Sequence, residues 1–524
     1  MAAFTCPNCG APVAYDPGKD RITCEYCGTV ITARDYEAHL EADGLYTARR
    51  LTCTRCGAEM LTTDATAATF CSYCGAPTLI PGSFTEEKRP DVIVPFKITA
   101  EAAKDIYRRK VRDRFFTPDW LKAEDGIEKA RGIYMPYYSY EFSYEADYRG
   151  EGKKAYTAGN YDYIETYSIN SPVGAEFGNM IADTSKAFPD TLSSSILPFS
   201  TVRNGKAFNP AYLGGFYADN GDVNPEIYGK VYKSLSENYA SQDRELSGIR
   251  VSGSRLAAGL RLEKETGRSY LLPVWFLHFK KDDKISYAAI NGETGTVAAD
   301  VPIDFGKYIA ASLMAAAVLS LLFNTVITLK PAAMLGLCMV MLLAAAITAG
   351  SKLNALYRSR HKLNDRGAAG GEVSTAKLKK RGLGSGLKFG IRAVVFVFVM
   401  IGIFLAEAAL DIGTFDGLEI FAALVVSGAV GRLALGDSDT VKLSAGRVPP
   451  GFRLRVTWKL YAAMLIGAFL LIENSVVDMR YYIGCGIAFA AVIWTYMEIV
   501  RAHNRLTMRD IPVFTEKRGG DHYE

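Results

Sequence analysis

Four Cys-x-x-Cys pairs crowd the front of this chain and limit what it can fold into more than any other feature. They are Cys6 and Cys9, Cys24 and Cys27, Cys53 and Cys56, and Cys71 and Cys74. Fourteen residues separate Cys9 from Cys24 and again Cys56 from Cys71, and the unit repeats after 47 residues. Glycine follows each pair (Gly10, Gly28, Gly57, Gly75), which permits the positive φ that turns backbone amides toward sulfur. Zn2+ prefers four thiolates in a tetrahedron, and two such pairs on facing hairpins supply it with no open position. The spacing therefore predicts two structural Zn2+ sites, in zinc ribbons at 1–34 and 50–80. A module this small has almost no apolar core, so metal binding is expected to supply most of its folding free energy, on the order of 10 kcal/mol. Redox dithiols and iron in a rubredoxin-like site are the other readings of the spacing. Cys338 and Cys485 stand alone in apolar runs and read as small buried hydrophobes.

The opening residues have no basic start and no apolar core that would export them. The front is thus expected in a reducing compartment, where disulfides do not persist. Residues 1–80 hold six Lys+Arg against nine Asp+Glu, the wrong balance for a phosphate backbone. Nucleic-acid binding at the membrane then rests on ribbon spacing alone, and protein contact is the preferred use. A short helix is expected at Arg34 to Ala42.

Pro81 to Pro90 has linker composition. Beyond it, a strand at Val92 to Ile98, a helix at Ala100 to Phe116, Tyr-rich strands from Ile133 and a helix at Asn224 to Asn238 define an α+β domain at 90–304. Strands at Ser269 to Phe279 and Lys284 to Ile290, with Asn291-Gly292, have the pattern of a hairpin. Aromatic stripes on strands are core in most proteins, and His278, the domain's only histidine, reads as a core or edge residue. No Ser-His-Asp order or His-Glu-x-x-His occurs, and Gly382 to Gly390 lacks the Gly-Lys-Ser/Thr ending of a phosphate loop. The chain reads as a non-enzyme.

The composition changes after this domain. Residues 1–306 carry 35 Lys+Arg against 41 Asp+Glu, whereas 307–524 carry 25 against 15 and most of the long apolar runs. Six spans are expected: Tyr308 to Leu329, Ala332 to Ala349, Ile391 to Leu410, Leu418 to Leu435, Leu460 to Ile472 and Tyr482 to Val500. They group into a first hairpin at 305–350, a basic cytoplasmic loop at 351–390, helices three to six at 391–500 and a tail at 501–524. Residues 351–392 hold eleven Lys+Arg, 436–459 five and the tail five. The opposite turns carry only Lys330 and Arg480, so both termini are expected to be cytoplasmic. Glu407, Glu419 and Glu498 lie near span ends and are expected to snorkel to the interface. Asn324 is the only amide well inside a span, which gives little ground for a transporter or intramembrane enzyme.

The ribbons, then "VIVPFKIT" (Val92 to Thr99), "GIYMPYY" (Gly132 to Tyr138), "FNPAYLGGFYAD" (Phe208 to Asp219), "LLPVWFL" (Leu271 to Leu277) and "AINGETG" (Ala289 to Gly295), resemble the bacterial TFIIB-type zinc-ribbon membrane proteins of the YdjG kind over roughly 1–330. The resemblance implies a scaffold in the plasma membrane that works with flotillin-like (SPFH) and TPM-domain partners and recruits a PspA-type membrane-stress protein. The expectation is a multidomain chain: two small β ribbons, an α+β middle domain and an α-helical bundle of about six spans, acting as a multi-pass adaptor in the lipid bilayer.

Overall fold

A computed structural model describes 6–31, 44–63, 71, 79–122, 130–360 and 450–510, apart from scattered positions inside those ranges. The expected helix at Arg34 to Ala42 and the expected third and fourth spans lie outside the described residues.

The first ribbon is a three-stranded sheet of β1 (Ala14–Asp16), β2 (Arg21–Thr23) and β3 (Val30–Ile31). Its hairpin turns where Gly18 donates its amide to the Asp16 carboxylate at 2.9 Å, the Asx turn favoured by short acidic side chains. The second cysteine repeat is built differently. Its strands β4 (Leu45–Cys53), β5 (Glu59–Thr62) and β6 (Leu79–Lys88) run straight into the large sheet of the following domain. The expected linker at Pro81 to Pro90 is therefore a strand up to Lys88, paired antiparallel with β4 from Leu45↔Lys88 to Cys53↔Leu79. Its Pro and Gly lie on an edge strand beside a register shift at Arg49 to Leu51, a position in a sheet where proline is tolerated.

The rest of the sheet comprises β7 (Val92–Ile93), β8 (Arg131–Ala158), β9 (Tyr161–Asp183), β10 (Lys206–Ala207), β11 (Tyr217–Asp219), β12 (Arg244–Leu246), β13 (Ile249–Val251), β14 (Leu260–Lys281), β15 (Lys284–Asn291), β16 (Val297–Ala299) and β17 (Arg509–Asp510). The central path is β10-β7-β14-β8-β11-β5-β4-β6. Helices α1 (Ala100–Arg112), α2 (Asp119–Lys122), α3 (Asp190–Ser195), α4 (Glu226–Ala240) and α5 (Gly253–Gly259) pack around it. The expected strand to Ile98 stops at Ile93 because Pro95 follows, and α1 ends at Arg112, four residues short of expectation.

Alternation explains β8. Even-numbered Tyr134, Tyr140, Phe142, Tyr144, Ala146 and Tyr148 are buried on one face. Odd-numbered Ile133, Met135 and Tyr137 fill a second core on the other face, and beyond Ser139 that face carries Glu141, Ser143, Glu145 and Asp147. The tyrosine stripe is core, as its period of two requires.

Asn291 ties several segments together. It is wholly buried, its amide nitrogen donates to the carbonyls of Ile196 (2.9 Å) and Pro198 (3.1 Å), and its oxygen accepts from the amides of Glu293 and Thr294 at 2.9 Å. The hairpin expected from Asn291-Gly292 exists between β15 and β16, but its left-handed residue is Gly295 (φ 78°), not Gly292. Gly292 is required for space instead: a Cβ there would stand 2.6 Å from the Phe96 ring.

Long helices complete the fold: α6 (Phe305–Val326), α7 (Pro331–Arg360), α8 (Pro450–Glu473) and α9 (Asp478–Thr507). Among the described residues, two stretches are long and apolar enough to cross a membrane, Pro331–Leu356 and Asp478–Thr507, the first about 39 Å as a helix. Six were expected. The first expected span falls on α6 and the fifth on α8, whose apolar part, Val456–Leu471, is shorter. Helix α7 also runs on to Arg360, so the first ten residues of the loop expected at 351–390 are helical. Glu498 does not snorkel alone: Lys459 of α8 donates to it at 2.6 Å, and Trp494 at 3.1 Å.

Replacing Asn291 by alanine strips its partner from the buried Ile196 carbonyl and from three partly buried backbone groups, and we expect a loss of about 2 kcal/mol of stability. Thermal unfolding of the detergent-solubilised chain measures it, and a loss below about 1 kcal/mol would show that water or neighbours replace the amide.

Candidate metal centre

The first cysteine set converges. The sulfurs of Cys6, Cys9, Cys24 and Cys27 all lie within 4.8 Å of one another. Cys6 Sγ stands 3.6 Å from Cys27 Sγ, and Cys9 Sγ 3.5 Å from Cys24 Sγ. A zinc–sulfur length of about 2.3 Å gives a tetrahedral edge of about 3.8 Å, so the four atoms fit that ion. All four donors are thiols, and soft ligands select Zn2+, Fe or Cu(I) over Mg2+ or Ca2+.

Backbone geometry holds each pair. The amide of Cys6 donates to Ala11 O (2.7 Å) and that of Gly10 to Cys6 O (2.8 Å); Cys24 with Thr29 (3.0 Å) and Gly28 with Cys24 (2.9 Å) repeat the pattern. Gly10 and Gly28 both sit at φ 72°, and a Cβ at either meets nothing within 4 Å. Glycine is needed there for conformation alone. Gly44, by contrast, belongs to the approach to β4.

Two residues that spacing did not single out complete the centre. Thr29 Oγ1 lies 3.0 Å from Cys27 Sγ, and Asn8 Nδ2 approaches the same sulfur at 3.9 Å and donates to Thr29 Oγ1 at 3.3 Å. The repeat gave no signal for them, because the positions 47 residues on are Arg55 and Ala76. The Thr29 hydroxyl and amide pull the Cys27 thiol down to about 6. At Cys9 the Ala11 amide pulls downward, but the hydrogen bonds with Cys27, Cys24 and Cys6 and desolvation prevail and push the thiol up to about 12. Four sulfurs this close cannot all be anions unless a cation sits among them.

The second set is seen in part. Cys53 and Cys71 are buried in one hydrophobic cluster with Leu51, Ala58 and Met60, while Cys56 and Cys74 lie outside the described residues. The Cys53 amide donates to Ala58 O at 2.9 Å, the bond that Cys6 makes to Ala11 and Cys24 to Thr29.

The first ribbon is not a free bead. Tyr15 donates its hydroxyl to Phe96 O (3.0 Å) and its amide to Gly214 O (3.1 Å), and its ring meets Tyr212 edge-on. Val13, Tyr15, Ile22 and Ile31 share a core with Phe96, Tyr134, Phe216 and Trp275. Phe96 and Phe216 stack at 4.4 Å, and Gly132 leaves room for them, since a Cβ there would come within 2.5 Å of Phe216.

The same sheet clasps both ends of the helical segment. Asn504 at the end of α9 donates to Ile303 O and accepts from Ile303 N, each at 2.8 Å, just before α6 begins. Strand β17, directly after α9, pairs with β15.

These features define a multidomain chain with a four-cysteine cluster of metal-holding geometry packed on a large sheet and joined to helices of membrane-crossing length. It is similar to the uncharacterized protein YdjG of Bacillus subtilis (strain 168), with 24% identity over 320 residues that cover 59% of this chain and 93% of that protein. No family model matches the sequence. No solved structure matches it either.

The lowered Cys27 thiol favours folding above its ordinary value near 9, and that contribution is lost as pH falls through about 6. Thr29→Ala removes the leading cause, so protons compete better for the sulfur and metal should leave at higher pH than in the parent chain. Release monitored with a chromogenic chelator during acid titration tests this, and unchanged release curves would exclude a role for Thr29.

Proposed function

We propose that this chain is a membrane-anchored zinc-ribbon adaptor of the TFIIB-type class, which holds protein partners at the cytoplasmic face of the plasma membrane and catalyses nothing itself. The observation that carries the reading is the closed four-thiol centre packed on a sheet that grips both ends of the helical segment. A metal with four protein ligands has no position left for substrate, so its work is to shape a surface.

The second cysteine set is assigned a second zinc of the same kind, supported by the matching Cys53 to Ala58 hydrogen bond and the equal spacing. The helices are assigned as six crossings. The hydrogen bonds between Ile303 and Asn504 bring the start of α6 beside the end of α9, which supports an even number of crossings such as six. The basic residues of 351–392, 436–459 and the tail favour the cytoplasm for that side, which agrees with thiols kept free for metal. The partners implied by the YdjG resemblance are SPFH/flotillin-like, TPM-domain and PspA-type proteins, and the acidic ribbons favour protein over nucleic acid.

Isolation of the intact complex from native membranes under membrane stress, after chemical crosslinking, tests the assignment. The adaptor reading predicts stoichiometric companions of the SPFH or PspA type that depend on Cys24. Recovery of the chain alone, or with nucleic acid in place of protein, contradicts it.

A further inference from the structure

Helix α1 and the turn after it carry an unassigned surface at the foot of the helical segment. The helix buries Ala103, Tyr107 and Val111 against the sheet, a spacing of four that leaves Arg109, Lys110 and Arg112 exposed on the outer side. Arg114 follows, also exposed, and then two phenylalanines stand in the open: Phe115 is 68% and Phe116 39% exposed, their rings 5.2 Å apart.

This turn is fastened to the start of α6. The Asp304 amide donates to Phe116 O at 2.7 Å, Lys307 Nζ donates to Thr117 O at 3.1 Å and pairs with Asp119, and the Phe116 ring lies 5.8 Å from that of Tyr308. Tyr308 stands within the first turn of α6, where the apolar run begins. Arg501, from the last turns of α9, lies over the Phe305 ring at 5.6 Å and adds a cation on the same side.

We infer that Arg109, Lys110, Arg112, Arg114, Phe115 and Phe116 form an interfacial foot that binds the anionic headgroups of the leaflet α6 enters. The inference rests on reading α6 as a span entered from the cytoplasm. The phenylalanines sink to the acyl boundary, and the four cations reach lipid phosphates just above it, the division of labour seen in amphipathic interfacial segments. Two exposed phenylalanines within a turn of a membrane helix have a cover at hand in the bilayer, and the neighbouring positive charge matches an anionic surface. A nucleic acid would satisfy the cations and leave the rings in water. Of the acidic groups here, Glu101 lies in the first turn of α1, Asp105 is paired with Arg108 at 2.9 Å, and Asp113 follows the last turn.

The full chain carrying Phe115→benzoylphenylalanine, reconstituted in phosphatidylethanolamine vesicles with and without phosphatidylglycerol, tests the foot. Irradiation is expected to give lipid adducts, several-fold more with phosphatidylglycerol. The combined R109Q, K110Q, R112Q and R114Q variant should abolish that preference, since one basic residue near an anionic surface strengthens association roughly fivefold. Absence of lipid adducts, equal yields in both vesicles, or adducts only to protein or nucleic acid overturns the inference while the chain resists alkaline carbonate extraction. Extraction by carbonate overturns it differently, by removing the membrane reading beneath it.

Discussion

Four sulfurs held within 4.8 Å of one another are an arrangement that protein alone does not tolerate as anions, and the rest of the chain's front is organised around it. Turn hydrogen bonds and a left-handed glycine fix the backbone at Cys6 and Cys24, the first cysteine of each pair. A cation placed among the sulfurs converts mutual repulsion into attraction. The ribbon packs Val13, Tyr15, Ile22 and Ile31 into one core with Phe96, Tyr134, Phe216 and Trp275.

The sheet joins the ribbon to the long helices. Strand β14 pairs along most of its length with β8, turns into β15, and β15 receives the short strand β17 that follows α9. The chain leaves the sheet after Ala299 and returns to it at Arg509, and between those points Ile303 and Asn504 exchange a pair of hydrogen bonds. A segment of about two hundred residues is therefore closed into a loop at its base. The exposed cations and phenylalanines after α1 lie at this base.

Part of this was legible in the residues. Cysteine spacing located the first centre because ligand geometry leaves few alternatives, and the period-two burial of tyrosines identified β8 because a strand has only two faces. Other features depended on contacts remote in sequence. Pro81 to Lys88 looks like a linker until β4 provides a partner, and the second cysteine set looks like a separate bead until β5 pairs with β11. Asn291-Gly292 suggested a two-residue turn, whereas Asn291 is spent on Ile196 and Pro198 and the turn closes at Gly295. Thr29 and Asn8 carried no pattern, since a hydrogen bond to sulfur asks only for one well-placed donor. Apolar length set the expected spans, and among the described residues it is met by Pro331–Leu356 and Asp478–Thr507.

Native mass spectrometry of the intact chain released from membranes under reducing conditions tests the central claim most directly. The account predicts two zinc ions per chain with every knuckle thiol free, one ion lost on Cys24→Ser and the other on Cys71→Ser. A metal-free chain whose knuckle cysteines are joined as disulfides would contradict it.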